Sequence, residues 1–187
     1  QLGPSAGNSV ADVIDSLRPY LDRPGVREIA ETLLARYPDG PEAKKLRIEL
    51  IDVGRSGADA AKAAEDVALR YPGEPGPLRT WIDRAAWAGL AADEERARLL
   101  LVDVEPDDDE NRRRLVDLLQ ARSDWDGAAL HLTHLVETNG LGSDASAELI
   151  DCLFAAGRFD DAAEWLRRLA NDPSATWKDR LRAAEEL

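Results

Sequence analysis

The chain has 187 residues, 24 basic and 37 acidic, and a formal net charge of −13 at pH 7. A chain this acidic repels phosphate backbones and anionic lipid surfaces. We therefore expect no nucleic acid among its partners. Its one cysteine, Cys152, excludes a disulfide within the chain and a multi-cysteine metal site, and apolar runs such as 99–102 are too short to enter a bilayer as a spanning helix.

The composition favours helix over sheet. Alanine, leucine, arginine and aspartate dominate, and aromatic residues make up only 5% of the chain. Alanine, leucine and arginine are strong helix formers, so we expect an all-α protein.

A period of 34 residues runs through the chain. Arg-Tyr-Pro at 36–38 returns at 70–72, and Ser-Asp-Trp-Asp-Gly-Ala at 123–128 returns as Gly-Arg-Phe-Asp-Asp-Ala at 157–162. One register fits both and predicts an N-terminal tail, 1–6, five units, 7–40, 41–74, 75–108, 109–142 and 143–176, and a terminal capping helix, 177–187. A period of this length predicts a solenoid, in which each unit buries its apolar face against its neighbours.

Helix starts can be placed in chain order. Pro24, Pro41 and Pro75 suit the first turn of a helix, where a missing N–H costs little. In the second unit we expect Ser56 and Asp59 to form a capping pair. The acidic run 107–110 suits the N-terminus of the next helix, because the helix dipole attracts negative charge there.

The fifth unit shows the plan of two helices. A first apolar stripe consists of Leu149, Ile150, Leu153 and Phe154, and a second stripe consists of Phe159, Ala162, Ala163, Leu166 and Leu169. Gly157 separates the two stripes, and Pro173 follows the second. Helices this short are marginal alone, so they must be stabilised by packing along these stripes.

These residues resemble the tetratricopeptide repeat family, whose unit of 34 residues has a small residue in the helix turn, an aromatic residue two positions later and an alanine three further. Gly157, Phe159 and Ala162 hold those places in the fifth unit, and Ser123, Trp125 and Ala128 hold them in the fourth. The resemblance implies an α-solenoid of antiparallel helix pairs that forms a right-handed superhelix. It also implies a concave groove, built from the first helix of each pair, that binds proteins, peptides or polymers.

An acidic column is the candidate binding feature. The ninth position of every unit is acidic, and in the family this column faces the groove: Asp15, Glu49, Asp83, Asp117 and Asp151. Four residues earlier, the central units carry the bases Lys45, Arg79 and Arg113. Either these residues form ion pairs between positions i and i+4 on solvated helix faces, or the acids select a cationic ligand while the bases set its register.

Aromatic residues could add to such a groove. Trp87 and Phe154 fall late in first helices, where they could stack on a ligand or pack between repeats. We expect Trp81 and Trp125 to be core residues and Cys152 to be an inert core thiol.

No catalytic constellation is evident, and we expect no metal, no cofactor and no enzyme activity. His131 and His134 have a spacing that suits two metal ligands, but no motif supplies a third. Gly-Pro-Ser-Ala-Gly at 3–7 matches a nucleophile motif that requires a preceding strand, and we discount this match because only two residues precede it in the sequence.

The sequence therefore predicts a non-catalytic scaffold that docks a basic protein or peptide in an acidic groove. An initial Gln1, the absence of methionine and the abundance of arginine and alanine suggest a segment of a larger bacterial protein, cytoplasmic or periplasmic. One alternative is a periplasmic segment of an exopolysaccharide export or secretion protein, which contacts a partly cationic polysaccharide or its modifying enzyme. A second alternative is a repeat array that regulates an attached enzyme.

Overall fold

A computed structural model describes residues 10–141 and 144–185, so the predicted tail 1–6 and the motif at 3–7 lie outside the described residues. The helices are α1 Val10–Leu17, α2 Pro24–Arg36, α3 Pro41–Glu49, α4 Ala58–Arg70, α5 Pro75–Trp87, α6 Ala91–Val104, α7 Asp109–Ala121, α8 Trp125–Asn139, α9 Asp144–Ala155, α10 Phe159–Asn171 and α11 Trp177–Glu185, and a 3-10 turn at Arg18–Tyr20 follows α1. No strand occurs in the described residues, and the expected all-α class is confirmed.

Proline and aspartate start several helices as predicted. Pro24, Pro41 and Pro75 are the first residues of α2, α3 and α5. Asp108 caps α7 by accepting a hydrogen bond of 3.0 Å from the backbone N–H of Asn111.

The prediction that Ser56 and Asp59 form a capping pair in the second unit is wrong. The N-cap of α4 is Gly57, whose φ is +52° and which has no side chain that could accept a capping hydrogen bond. The chain turns into the helix through this glycine, and the backbone N–H of Asp59 donates to the carbonyl of Ser56 at 3.2 Å. Glycine is suited to this place because a positive φ is strained for other residues.

The helices form two compact units, Gln1–Ala97 and Arg98–Leu187, called here the N-terminal and C-terminal units. In the N-terminal unit α1 packs on α2 and α3, α2 on α3, α3 on α4, and α4 on α5. In the C-terminal unit each helix from α7 to α11 packs on the next. This packing of consecutive antiparallel helices is that of an α-solenoid. The division into five repeats stays a prediction.

Each unit has a core of leucine, valine and alanine. One cluster of the N-terminal unit consists of Ile14, Leu21, Ala30, Leu34, Ala43, Leu46 and Leu50. The main cluster of the C-terminal unit consists of Leu115, Val116, Leu119, Ala128, Ala129, Leu132, Leu135, Val136, Ala145, Leu149, Cys152, Leu153 and Ala162. Trp81 is fully buried, as predicted, and Trp125 packs half-buried against the main cluster.

The second stripe of the fifth unit is mostly buried, but Ala163 is half-buried and the first residue of the stripe is exposed. Ala162, Leu166 and Leu169 are buried, but Phe159 is 64% exposed, so its predicted core position is wrong. The reason is that Phe159 is the first residue of α10, where its ring lies 6.2 Å from the ring of Phe154 instead of entering the core.

Candidate interaction surfaces

Ion pairs connect helices that lie about one repeat apart in sequence. In the N-terminal unit Arg18 Nε donates to Glu49 at 2.7 Å, and Arg84 binds Asp52 through two hydrogen bonds of 2.6 Å. In the C-terminal unit Arg113 pairs with Glu148. The partners are 31, 32 and 35 residues apart, which is close to the predicted repeat length of 34 residues.

The acidic column is not uniform in the N-terminal unit. Glu49 is half-buried and engaged by Arg18, which also contacts Asp15 at 3.1 Å. Asp83 is exposed on α5. The basic residue Arg79 is also exposed on α5, and the basic residue Lys45 is exposed on α3. The first-helix surface of this unit therefore carries both signs of charge.

Trp87 is a conspicuous feature of the same unit. It is the last residue of α5 and is 71% exposed. Its ring is therefore available for a ligand rather than for packing within the unit.

The first-helix face of the C-terminal unit, defined by Arg113, Asp117, Glu148, Asp151 and Phe154 of α7 and α9, is more acidic. Arg113 is engaged by Glu148, and the side chains of Asp117 and Asp151 are exposed. Asp117 lies 3.5 Å from Arg114, a contact between two exposed side chains that contributes little. Phe154 is partly exposed at the end of α9.

Gln120 fixes how α7 and α9 approach each other on this face. Its amide donates to Glu148 at 2.9 Å and to the sulfur of Cys152 at 3.2 Å. Cys152 is buried, as predicted, and burial raises the pKa of its thiol. A neutral buried thiol fits a core residue rather than a nucleophile.

His131 is buried beside a charged residue. Its Nδ1 lies 3.3 Å from Nη1 of Arg112, which is also buried and donates through Nη2 to the carbonyl of Pro106 at 2.7 Å. Burial, and then the charge of Arg112, lowers the pKa of His131. No cluster of three His, Cys, Asp or Glu side chains that could hold a metal occurs in the described part of the chain.

Sequence reasoning missed a groove on the second helices of the C-terminal unit. The groove has a volume of about 300 Å³ and is lined by Ala129, Leu130, Thr133, Leu153, Arg158, Asp161, Glu164 and Trp165. The available signal was Leu130, which is 68% exposed because it lies off the buried stripe of α8.

Within the described ranges, no helix is long and apolar enough to cross a membrane. Residues 113–176 match the family model described as "Tetratricopeptide repeat". Among solved structures, one titled "Crystal structure of MamA protein" is similar at 14% identity and a TM-score of 0.48, covering 95% of this chain and 91% of that chain. No curated protein matches the chain. Residues 113–176, about a third of the chain, therefore resemble tetratricopeptide repeats, which typically serve as non-catalytic protein–protein interaction scaffolds.

Proposed function

We propose that the chain is a scaffold that docks a basic protein or peptide on the first-helix face of its C-terminal unit. The observation that carries this proposal is the exposure of Asp117 and Asp151 on a face where Arg113 is already engaged by Glu148. Two exposed carboxylates in equivalent positions of neighbouring repeats suit a ligand with more than one positive charge.

Electrostatics supports a basic partner. Exposed carboxylates attract lysine and arginine over the Debye length, about 10 Å at 0.1 M salt, and the net charge of −13 adds to this attraction. A partner cation can displace the weak contact between Asp117 and Arg114 at little cost. Phe154, at the end of α9, adds apolar contact area beside the acids.

The N-terminal unit fits this role less well. Glu49 is held by Arg18, and exposed Lys45 and Arg79 oppose the charge of Asp83. Trp87 then contributes stacking rather than charge recognition in this unit. We therefore propose that charge selection resides on α7 and α9.

Affinity capture from the source cells, with charge-reversal variants, tests the proposal. The wild-type chain is compared with Asp117→Lys/Asp151→Lys and with the control Glu137→Lys/Asp160→Lys, which makes the same charge change at exposed acids of α8 and α10. We expect a basic protein that is captured at low salt, lost at high salt, lost by the first variant and retained by the control.

Equal capture by both variants would show that only net charge matters and would contradict the docking face. Capture of no protein by the wild-type chain would contradict the scaffold function itself. A captured partner that is acidic would contradict the charge selection.

A further inference from the structure

The groove between α8 and α10 has an apolar part that no side chain of the described residues fills. Leu153 of α9 is buried and forms its floor, and Leu130 and Trp165 contribute to its two walls. A volume of about 300 Å³ is at the lower end of the range for ligand pockets, so the groove admits a side chain rather than a folded element.

The positive and negative charges of the side chains that line the groove do not cancel. The guanidinium of Arg158 donates to Asp161 at 2.6 Å and lies 3.6 Å from Asp126, so its charge is compensated. Glu164 is exposed on the groove wall, and no described residue forms a hydrogen bond or ion pair with it. One carboxylate therefore borders the apolar wall without a described cation within ion-pair distance.

The indole of Trp165 already accepts a cation. The guanidinium carbon of Arg168 lies 4.0 Å from the centre of the Trp165 ring, which is a cation–π contact. The environment of this ring is thus compatible with a guanidinium group beside an apolar surface.

We propose that this groove receives an arginine side chain from a basic segment of a partner protein. The arginine stem packs on Leu130 and Trp165, and its guanidinium pairs with Glu164. Arginine is favoured over lysine because a guanidinium is planar, stacks on aromatic rings and is more weakly hydrated. A second copy of the chain is a poor occupant, since two chains with a net charge of −13 repel each other.

This site goes beyond the proposed function, because it lies on the second helices and apart from Asp117 and Asp151. The test uses the capped tripeptide acetyl-Leu-Arg-Leu-amide as probe, and the same peptide with citrulline, the neutral isostere of arginine, as its control. Both are titrated into the isotopically labelled full chain and followed by assigned NMR spectra.

We expect the arginine peptide to shift the indole N–H of Trp165 and the amides of Leu130, Thr133 and Glu164 in a saturable manner. Loss of one exposed ion pair predicts an affinity lower by a factor of up to about five for the citrulline peptide. Glu164→Gln should weaken the arginine peptide by a similar factor, whereas Asp160→Asn, one turn earlier on α10 and not lining the groove, should leave it unchanged.

Several outcomes would overturn the proposal. They are the absence of saturable shifts, equal affinity for the arginine and citrulline peptides, and an unchanged affinity in Glu164→Gln. Shifts that depend on protein concentration without peptide would assign the groove to self-association instead. Shifts confined to Asp117, Asp151 and their neighbours in sequence, without shifts at Leu130, Thr133, Glu164 or Trp165, would overturn this site while supporting the docking face, so failures of the two proposals are distinguishable.

Discussion

Ser123 adopts a backbone conformation that favours glycine. Its φ is +64°, and Gly89 and Gly157, at a distance of 34 residues on either side, have φ values of +70° and +74°. The left-handed region costs a residue with a side chain about 1–2 kcal/mol, and glycine loses part of this advantage through its freedom in the unfolded chain. The three residues thus lie in turns between consecutive helices, at the predicted spacing of 34 residues.

We therefore predict that Ser123→Gly raises the free energy of unfolding by about 0.5–1 kcal/mol, measured by urea denaturation. The reciprocal Gly157→Ala should lower it by a similar amount, although open space surrounds the added methyl group. A loss of stability in Ser123→Gly would show that the turn is not strained by the serine.

The buried His131 makes stability dependent on pH. Its pKa is lowered in the folded chain by burial and by Arg112, and His134 on the same helix acts in the same direction. Below the ordinary histidine pKa of about 6.5, the unfolded chain therefore binds more protons than the folded chain. We predict that the free energy of unfolding falls as the pH decreases from about 7.5 to 5.5.

His131→Gln is the control for this prediction, because glutamine can accept a hydrogen bond from Arg112 but does not titrate. Urea denaturation at several pH values should show a smaller slope in this variant. An equal slope in both proteins would assign the pH dependence to other groups.

At the scale of the helices, the sequence correctly predicted those helix starts that depend on a single local residue. Pro24, Pro41 and Pro75 begin helices because their fixed φ suits the first turn whatever the surroundings. Gly57 and Phe159 depart from the prediction because the entry of the chain into α4 and α10 is set by the turn before each helix. Such turns are fixed by packing that a single segment does not encode.

The same limit applies to the candidate site. Sequence spacing suggested ion pairs between positions i and i+4, but Glu49 is engaged by Arg18 and Arg113 by Glu148, about one repeat away. The sequence could therefore locate charged columns but not which charges are compensated. The groove between α8 and α10 was not predicted for the same reason, since its walls come from helices that are not consecutive in sequence.

The packing of α9 and the exposed face of α8 give a matched pair of core and surface substitutions. Leu149 is fully buried in the main cluster, whereas Leu130 is 68% exposed. Leu149→Ala should lower the free energy of unfolding by about 2–5 kcal/mol, because it removes buried contacts and leaves a cavity. Leu130→Ala should change it by less than about 0.5 kcal/mol in the same urea denaturation experiment. Similar losses in both would contradict the assignment of α9 to the core.

At the scale of the whole molecule, the net charge of −13 indicates the class of partner but not the surface that binds it. The negative electrostatic field of the chain accelerates its encounter with a basic partner, and it contributes less to the lifetime of the complex once this has formed. We predict that the association rate falls at least about tenfold between low and high ionic strength, while the dissociation rate changes much less. Surface plasmon resonance with the captured partner measures both rates, and an association rate insensitive to salt would contradict electrostatic selection.

Carboxylate footprinting with the captured partner most directly tests the central claim, that the first-helix face of α7 and α9 binds a basic partner. Exposed acids are coupled to glycine ethyl ester by a carbodiimide, with and without the partner, and the modified positions are quantified by mass spectrometry. We predict that the partner protects Asp117 and Asp151, while the exposed Glu137 and Asp160 on the second helices stay reactive. Unchanged reactivity at Asp117 and Asp151, with protection at acids elsewhere, would contradict the proposed docking face.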